Sequence, residues 1–246
     1  SFPMVAMNIL ETRGLTKSLG GLLANQNIDF SLKQGKITAL IGPNGAGKST
    51  FVGMLCGRIP SSSGEVYFAG KNISHLPAHK RIGLGIAYTF QITSIFPGLT
   101  VQRNVELAAR RAKNQTWATV VEKVASVLSR VKLLDRAEQR AGDLSYGHQR
   151  ILEIAMGLAQ DPKIFILDEP TQGLSESEIE TFIALIKSLS GESTILLIEH
   201  NMDVVMKSAD HVAVLDFGEL IAEGSPSEIR RNEKVQSAYL GTSQDA

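Results

Sequence analysis

The sequence has little of what secreted and membrane-spanning proteins carry. Cys56 is the only cysteine among 246 residues, so no disulfide can form within the chain and a reducing compartment is expected. No apolar run approaches the roughly 18 residues that a membrane-spanning helix needs. Residues 1–10 lack the basic region that begins a signal peptide. These features predict a cytosolic chain, which is still able to dock on a membrane protein.

An excess of either charge is also missing. Lys and Arg number 25, and Asp and Glu also number 25. A nucleic-acid partner usually requires a basic face, so none is expected here. With 43% hydrophobic and 20% charged residues, the composition is that of an ordinary globular protein, and the length suits one large α/β domain.

What the sequence does contain is a glycine-rich motif, G-P-N-G-A-G-K-S, at residues 42–49. Its glycines and its Lys-Ser pair occupy the fixed positions of a P-loop. A strand predicted over residues 36–41 precedes it and a helix predicted over 50–56 follows it, which is the setting that the motif requires. The lysine supplies a positive charge to the β- and γ-phosphates, and the serine hydroxyl suits Mg²⁺. The sequence therefore predicts a nucleoside triphosphate site formed by Gly42, Pro43, Asn44, Gly45, Ala46, Gly47, Lys48, Ser49 and Thr50.

Strand-like and helix-like segments alternate along most of the chain. Short β-rich runs lie at residues 27–32, 65–68, 86–90, 164–167, 194–198 and 212–215. Continuous apolar strands between amphipathic helices, such as the one predicted over 176–189, indicate a mostly parallel sheet covered on both faces. Residues 101–112 and 117–131 have helical spacing instead. We therefore predict an α/β fold with a helical subdomain inserted at residues 92–159.

A second element of phosphate chemistry, K-I-F-I-L-D-E-P, lies at residues 163–170. Ligands of parallel α/β sheets bind at the carboxyl ends of the strands, so Asp168 and Glu169 are expected beside the P-loop. Asp168 is predicted to help hold Mg²⁺, and Glu169 to orient or polarise the attacking water. His200 follows the next strand, and we predict that it contacts the γ-phosphate.

A third motif, D-L-S-Y-G-H-Q-R-I at residues 143–151, is predicted to open an amphipathic helix that continues to about residue 159. Ser145 can cap that helix, and Gly147 lets the backbone approach a phosphate. Together with the P-loop, Gln91 and the strand that ends in Asp168, this motif makes the chain resemble the ATP-binding cassette ATPases over nearly its whole length.

The resemblance implies a P-loop NTPase (RecA-like) core of residues 7–91 and 160–246, with an antiparallel β subdomain and the helical subdomain at 92–159, all in one domain. It assigns Gln91 to the Q-loop, residues 144–148 to the signature motif and His200 to the switch histidine. It implies ATP and Mg²⁺ as cofactors. The implied catalytic residues are Glu169, His200 and Gln91, and the implied metal ligands are Ser49, Gln91 and Asp168.

The resemblance also implies a domain that works in pairs. Each ATP would lie between the P-loop of one copy and Ser145 and Gly147 of the other. The partner cassette is either a second copy, giving a homodimer, or a paralogue, giving a heterodimer. ATP would close the pair, and closure would move permease subunits that are contacted near Gln91 and the helical subdomain.

Finer features resemble one branch of importers. G-I-A-Y-T-F-Q at residues 85–91 and S-A-Y-L-G at 237–241 are similar to cassettes for branched-chain and related hydrophobic amino acid uptake. This branch implies a peripheral position on the inner face of the plasma membrane and, indirectly, an extracytoplasmic solute-binding protein. Importers of urea and short-chain amides share much of the pattern and stay open as an alternative.

Two functions from other classes fit the sequence less well. Non-transport cassettes that act on DNA carry a long coiled coil, and the short stretch between Gln91 and Leu144 shows no sustained heptads. Cassettes that act on ribosomes carry two ATPase units in one chain, and this sequence has one. A small-molecule P-loop kinase leaves the signature motif and the Q-loop unexplained.

Four positions depart from the cassette pattern. Leu19 stands where an aromatic residue usually stacks on adenine, and such stacking is worth about 1–3 kcal/mol per base in nucleic-acid binders. We therefore expect looser adenine selectivity. His148 replaces the usual glutamine of the signature motif, Tyr146 replaces a glycine, and Ser175 ends the D-loop where many cassettes carry aspartate, which weakens the expected contact across the dimer.

Overall fold

The structure, a computed structural model, describes residues 7–89, 95–111 and 116–241. The strands of these residues are β1 (Asn8–Leu19), β2 (Leu22–Lys33), β3 (Ile37–Ile41), β4 (Ser63–Phe68), β5 (Lys71–Asn72), β6 (Ile86–Thr89), β7 (Ile164–Asp168), β8 (Thr194–Ile198), β9 (His211–Asp216) and β10 (Glu219–Gly224). The helices are α1 (Lys48–Leu55), α2 (Ala78–Leu84), α3 (Val101–Ala109), α4 (Trp117–Arg130), α5 (Tyr146–Leu158), α6 (Glu176–Leu189), α7 (Met202–Ser208), α8 (Pro226–Arg230) and α9 (Glu233–Gly241).

The central sheet has six strands in the order β10-β9-β3-β8-β7-β6. Its pairs are parallel except for the edge hairpin of β9 and β10. Every residue of β3, β7 and β8 is buried, as expected for strands covered on both faces. Ile198 on β8 pairs with both Leu40 on β3 and Asp168 on β7, so these three strands end at the same edge of the sheet.

A second sheet, in the order β2-β1-β4-β5, is antiparallel throughout. It packs on the central sheet through an apolar cluster that includes Leu15, Ile28 and Phe30. The ring of Phe30 meets that of Phe51 on α1 edge to face, with centroids 5.3 Å apart. Pairs of this kind contribute about 0.5–1.5 kcal/mol beyond burial. This packing fixes the β1–β2 hairpin beside the helix that follows the P-loop.

Between β6 and β7 the described residues form α3, α4, α5 and two short 3-10 turns at Leu134–Arg136 and Ala141–Asp143. Val120, Val124 and Val127 of α4 are buried at helical spacing, because one face of this helix packs on its neighbours. Thr116 forms a capping box at its start. The helical character expected for this part is confirmed, although α3 ends at Ala109 and residue 112 lies outside the described residues. The subdomain boundaries at 91/92 and 159/160 stay a prediction.

Helix α2 and strand β10 were not predicted from the sequence. Arg81 of α2 is buried, and its guanidinium donates to Met54 O at 2.7 Å and Leu55 O at 2.8 Å. It therefore supplies a cation to the carbonyl end of α1, which the helix dipole favours. Among the helices of the described residues, none is both long enough and apolar enough to span a membrane.

Candidate functional site

The P-loop, Asp168, Glu169 and His200 lie together where β3, β7 and β8 end. The P-loop follows β3, Asp168 ends β7 with Glu169 directly after it, and His200 follows β8 by two residues. Because these strands are parallel neighbours in register, segments that lie more than 100 positions apart in the chain meet at one edge of the sheet.

The P-loop backbone is held by its neighbours at two glycines. A Cβ at Gly42 would lie 2.2 Å from Leu215 O, at the end of β9. Gly47 has a φ of 96°, and a Cβ there would lie 2.5 Å from Ala24 O of β2. A side chain at either position would collide with backbone, so the loop conformation requires glycine at both.

Helix α1 starts at Lys48, two residues before the predicted start, so Lys48 and Ser49 lie in its first turn. Gly47 is the N-cap and offers no side-chain hydrogen bond. The first N–H groups of a helix have no partner within the helix and carry a partial positive charge. The N-terminus of α1 therefore presents N–H donors to an anion, with the exposed Ser49 hydroxyl beside them.

The Lys48 side chain is buried and turned back over the loop. Its Nζ donates to Gly42 O at 2.6 Å and to Pro43 O at 3.0 Å. Burial lowers the pKa of Lys48, while the nearby carboxylates of Glu169 and Asp168 oppose that shift. An ammonium group has three donors, so two bonds fix its position and a third remains for a phosphate oxygen.

Asp168 is buried at the end of β7 and pairs with a residue that the sequence did not indicate. The Tyr88 hydroxyl on β6 donates to Asp168 Oδ2 at 2.5 Å. Burial raises the pKa of Asp168, and the bond from Tyr88 opposes that rise. Burial also raises the pKa of Tyr88, and its contact with Asp168 adds to the rise, so the hydroxyl remains a donor at neutral pH.

Glu169 and His200 are in direct contact. His200 Nε2 and Glu169 Oε1 lie 2.6 Å apart. Glu169 has a φ of 47°, which is uncommon for a residue other than glycine, and its N–H donates to Ile198 O at 2.9 Å. This left-handed turn, held by β8, directs the carboxylate away from the strand and toward the histidine.

A third acid at this edge was not assigned a role from the sequence. Glu199 is only 3% exposed. Its Oε1 accepts from the Thr171 hydroxyl and from Thr171 N, and its Oε2 accepts from His200 N at 3.0 Å and Asn201 N at 3.1 Å. Glu199 therefore ties the turn after β7 to the turn after β8. No motif identifies it, because its partners depend on strand order.

Ser145 and Gly147 lie at the start of α5 and not at this edge. The Ser145 hydroxyl caps α5 by accepting from His148 N, and a Cβ at Gly147 would lie 2.0 Å from Glu178 Oε1 on α6. Among the described residues, no hydrogen bond joins Ser145 or Gly147 to the P-loop of the same chain.

Comparison with known proteins identifies the family. A model of the ABC transporter family matches residues 25–172, and a model named branched-chain amino acid ATP-binding cassette transporter matches residues 219–245. The chain is 38% identical to a high-affinity branched-chain amino acid transport ATP-binding protein of Pseudomonas aeruginosa, covering 95% of this chain and 98% of that protein. The chain belongs to the ABC transporter family. A probable branched-chain amino acid transport ATP-binding protein of Archaeoglobus fulgidus is 37% identical, with 96% of each chain covered.

Solved structures of the ABC transporter family agree with this fold. The ADP conformation of an ATP-binding cassette of an ABC transporter matches with a TM-score of 0.85 at 29% identity, covering 96% of this chain and 99% of that one. A dimeric bacterial ABC transporter cassette matches with a TM-score of 0.77 at 25% identity, covering 88% and 98%. The predicted fold class, an α/β P-loop NTPase core with an antiparallel sheet and inserted helices, is confirmed.

Membership of the ABC transporter family makes the chain an ATP-binding subunit of an ATP-hydrolysing cassette family. Gln91, predicted to act in catalysis and metal binding, lies outside the described residues. Of the predicted metal ligands, the Ser49 hydroxyl and the Asp168 carboxylate lie at this edge of the sheet. These hard oxygen donors fit Mg²⁺, which is typically bound by one or two carboxylates together with substrate phosphates. Among the described residues, no group of three His, Cys, Asp or Glu side chains could hold a metal.

The four residues that depart from the cassette pattern have the following surroundings in the structure. Ser175 is the N-cap of α6 and forms a capping box with Glu178. The Tyr146 ring lies against Gly173, where an added Cβ would be 2.9 Å from Cε1. His148 Nδ1 lies 2.8 Å from the Ser145 hydroxyl. Leu19 is 54% exposed at the tip of the β1–β2 hairpin.

Proposed function

We propose that this chain is the ATP-hydrolysing subunit of an importer for branched-chain or related hydrophobic amino acids. The relatives from Pseudomonas and Archaeoglobus are named for branched-chain amino acid transport, and the family model that matches residues 219–245 carries the same description. The proposed hydrolysis of ATP rests on one observation, the 2.6 Å contact between Glu169 and His200 beside the P-loop.

Each residue at the sheet edge has a distinct role in the proposed hydrolysis. The N–H groups at the start of α1 and the Lys48 ammonium bind the phosphates of ATP. Glu169 orients the attacking water and accepts its proton as the water oxygen bonds to the γ-phosphorus. The bond from that phosphorus to the β–γ bridging oxygen breaks at the same step, which releases ADP and inorganic phosphate. His200 holds Glu169 and contacts the γ-phosphate. Ser49, Asp168 and Gln91 would hold Mg²⁺, whose charge would offset that of the β- and γ-phosphates.

The site of one chain is half of the proposed catalytic site. Ser145 and Gly147, at the start of α5, present a second helix N-terminus suited to a γ-phosphate. In the proposed dimer they cover the ATP bound by the partner's P-loop. A solved cassette of similar fold is dimeric, which supports this arrangement. ATP favours the closed pair because it contacts both halves only there, and hydrolysis releases the closure.

A groove beside the site suits the permease. A cavity of about 750 Å³ lies between the end of β6 and helices α3 and α5, lined in part by Phe96, Leu107 and Met156. Phe96 is 45% exposed and Leu107 is 42% exposed. We infer that a segment of a membrane permease docks here, which gives the subunit a peripheral position on the inner face of the plasma membrane. An extracytoplasmic solute-binding protein would then act through the permease.

The chain should be co-purified with its membrane subunits and assayed for ATPase stimulation by binding proteins loaded with different ligands. Stimulation by a binding protein loaded with a branched-chain amino acid is the expected result. Stimulation only by urea or a short-chain amide would reassign the importer. Stimulation of the isolated chain by DNA or ribosomes would instead support a non-transport cassette, which the balanced charge disfavours.

A further inference from the structure

The hydroxyl of Tyr88 is directed at the carboxylate that we propose as a metal ligand. Tyr88 pairs with Ile166 in the register of β6 and β7, so it lies two positions before Asp168 on the neighbouring strand. The tyrosine side chain is long enough to span that offset. Its oxygen reaches Asp168 Oδ2 at 2.5 Å, a distance typical of a strong bond to an ionised acceptor.

The ring of Tyr88 is itself held in place. The guanidinium carbon of Arg58 lies 4.7 Å from the ring centroid, close enough for a cation–π interaction. The backbone of β6 is fixed by its parallel ladder with β7. Because the backbone is fixed by the sheet and the ring by the guanidinium, the hydroxyl is presented in one direction and the bond to Asp168 is pre-organised.

The following inference rests on the proposed function of Asp168 as a metal ligand. We propose that Tyr88 is a positioning residue for the metal: its hydrogen bond occupies Oδ2 and fixes the rotation of the Asp168 carboxylate, which would leave Oδ1 as the oxygen that binds Mg²⁺. Hydrogen bonds to the ligands of a metal orient those ligands, and their loss typically costs about 10–100-fold in metal affinity.

A competing explanation is that Tyr88 only packs in the sheet and that its hydroxyl has no effect on the metal. Replacement of Tyr88 by phenylalanine separates the two, because the ring, its cation–π contact and the strand all remain. A packing role predicts unchanged metal binding, whereas a positioning role predicts weaker metal binding with little change in metal-free nucleotide binding.

The test is a titration of Mn²⁺, used as a paramagnetic substitute for Mg²⁺, into the protein saturated with ADP. Free and bound Mn²⁺ are measured by electron paramagnetic resonance, and ADP affinity is measured separately in EDTA. For Tyr88→Phe we expect Mn²⁺ affinity to fall about tenfold or more. ADP affinity in EDTA should stay within about twofold of wild type, since no phosphate contact is removed.

Tyr67→Phe is the matched control, because the Tyr67 hydroxyl also donates to a carboxylate, Glu65 Oε2 at 2.8 Å, on an exposed part of β4. It should bind Mn²⁺ as the wild type does. Asp168→Asn tests the role of Asp168 as a metal ligand separately from the role of Tyr88. If Asp168→Asn weakens Mn²⁺ binding and Tyr88→Phe does not, the role of Tyr88 is wrong. If Asp168→Asn has no effect, the proposed metal site is wrong and the role of Tyr88 with it.

Discussion

His200 Nε2 lies 2.6 Å from Glu169 Oε1, although 31 positions separate the two residues in the chain. Each follows a fully buried strand, and the two strands are parallel neighbours. The contact therefore depends on the sheet and is not a property of either motif alone. In the proposed hydrolysis, this contact lets the histidine hold the carboxylate in the direction from which it acts on a water molecule.

Glu169→Gln should bind ATP and accumulate as a closed dimer with little turnover. The amide keeps the shape of the side chain but cannot accept a proton, and a general base contributes about 10²–10⁴-fold to a rate. Turnover is measured by phosphate release, and the dimer by size-exclusion chromatography with ATP. His200→Ala should add little to the loss in the double variant, because both residues act on one step. Hydrolysis by Glu169→Gln at the wild-type rate would contradict the assignment.

Lys48→Ala should weaken nucleotide affinity roughly 10–100-fold, since charge-assisted bonds of about 1.5–3 kcal/mol are lost. Lys36→Ala provides the control, because Lys36 is an exposed lysine just before β3, at the opposite end of the same strand. A calorimetric titration with ADP compares the two variants. Wild-type binding by Lys48→Ala would remove Lys48 from the phosphate site.

Glu199→Gln should lower both stability and turnover. Glu199 Oε1 accepts from the buried Thr171, and Oε2 accepts from the part-buried N–H groups of His200 and Asn201. An NH₂ group in place of either oxygen cannot accept, so at least one N–H loses its partner. An unsatisfied buried donor costs about 1–3 kcal/mol in the free energy of unfolding. Urea denaturation measures this loss. Glu192→Gln, at a residue whose side chain is 67% exposed and paired with Arg130, should cost no more than about 1 kcal/mol. Equal stability of the two variants would contradict the role of Glu199.

Leu19→Tyr should tighten nucleotide binding, by an amount that differs between ATP and GTP. The hairpin tip carries three exposed leucines, Leu19, Leu22 and Leu23, of which Leu19 is 54% exposed. A stacked aromatic ring is worth about 1–3 kcal/mol per base in nucleic-acid binders, or about 5–150-fold in affinity. Competition of ATP and GTP against a fluorescent ADP analogue measures the change. The wild type should discriminate weakly between ATP and GTP. A strong preference of the wild type for ATP would show that a group other than residue 19 recognises the base.

Cys56 should be unreactive in the folded protein. Burial raises the pKa of its thiol to about 12, and the residue is 6% exposed. At pH 8 a pKa this high lowers the thiolate fraction by about three orders of magnitude relative to an ordinary cysteine. Labelling with a maleimide, followed by mass spectrometry, should be absent in buffer and complete in guanidinium chloride. Complete labelling of the folded chain within minutes would show that this face of α1 opens readily.

The sequence predicted those parts of the site that depend on a short motif. The P-loop between a strand and a helix, the acids that end β7 and the serine that caps α5 all depend on neighbours within a few residues. Local patterns of this kind specify turns, caps and strand ends directly. The prediction was less accurate at boundaries: α1 starts two residues earlier than expected, and that shift brings Lys48 and Ser49 into the helix.

Only the tertiary structure decided which distant side chains meet. Tyr88 reaches Asp168 because β6 lies beside β7, and Glu199 reaches Thr171 because β8 lies on the other side. Arg81 reaches the end of α1 through packing of a short helix without a sequence signal. The amino-acid sequence by itself therefore determined that the chain binds a nucleotide and hydrolyses it as a cassette ATPase. The order of strands in the sheet decided how the acids and the histidine are held, because side-chain contacts depend on distance in space and not on distance along the chain.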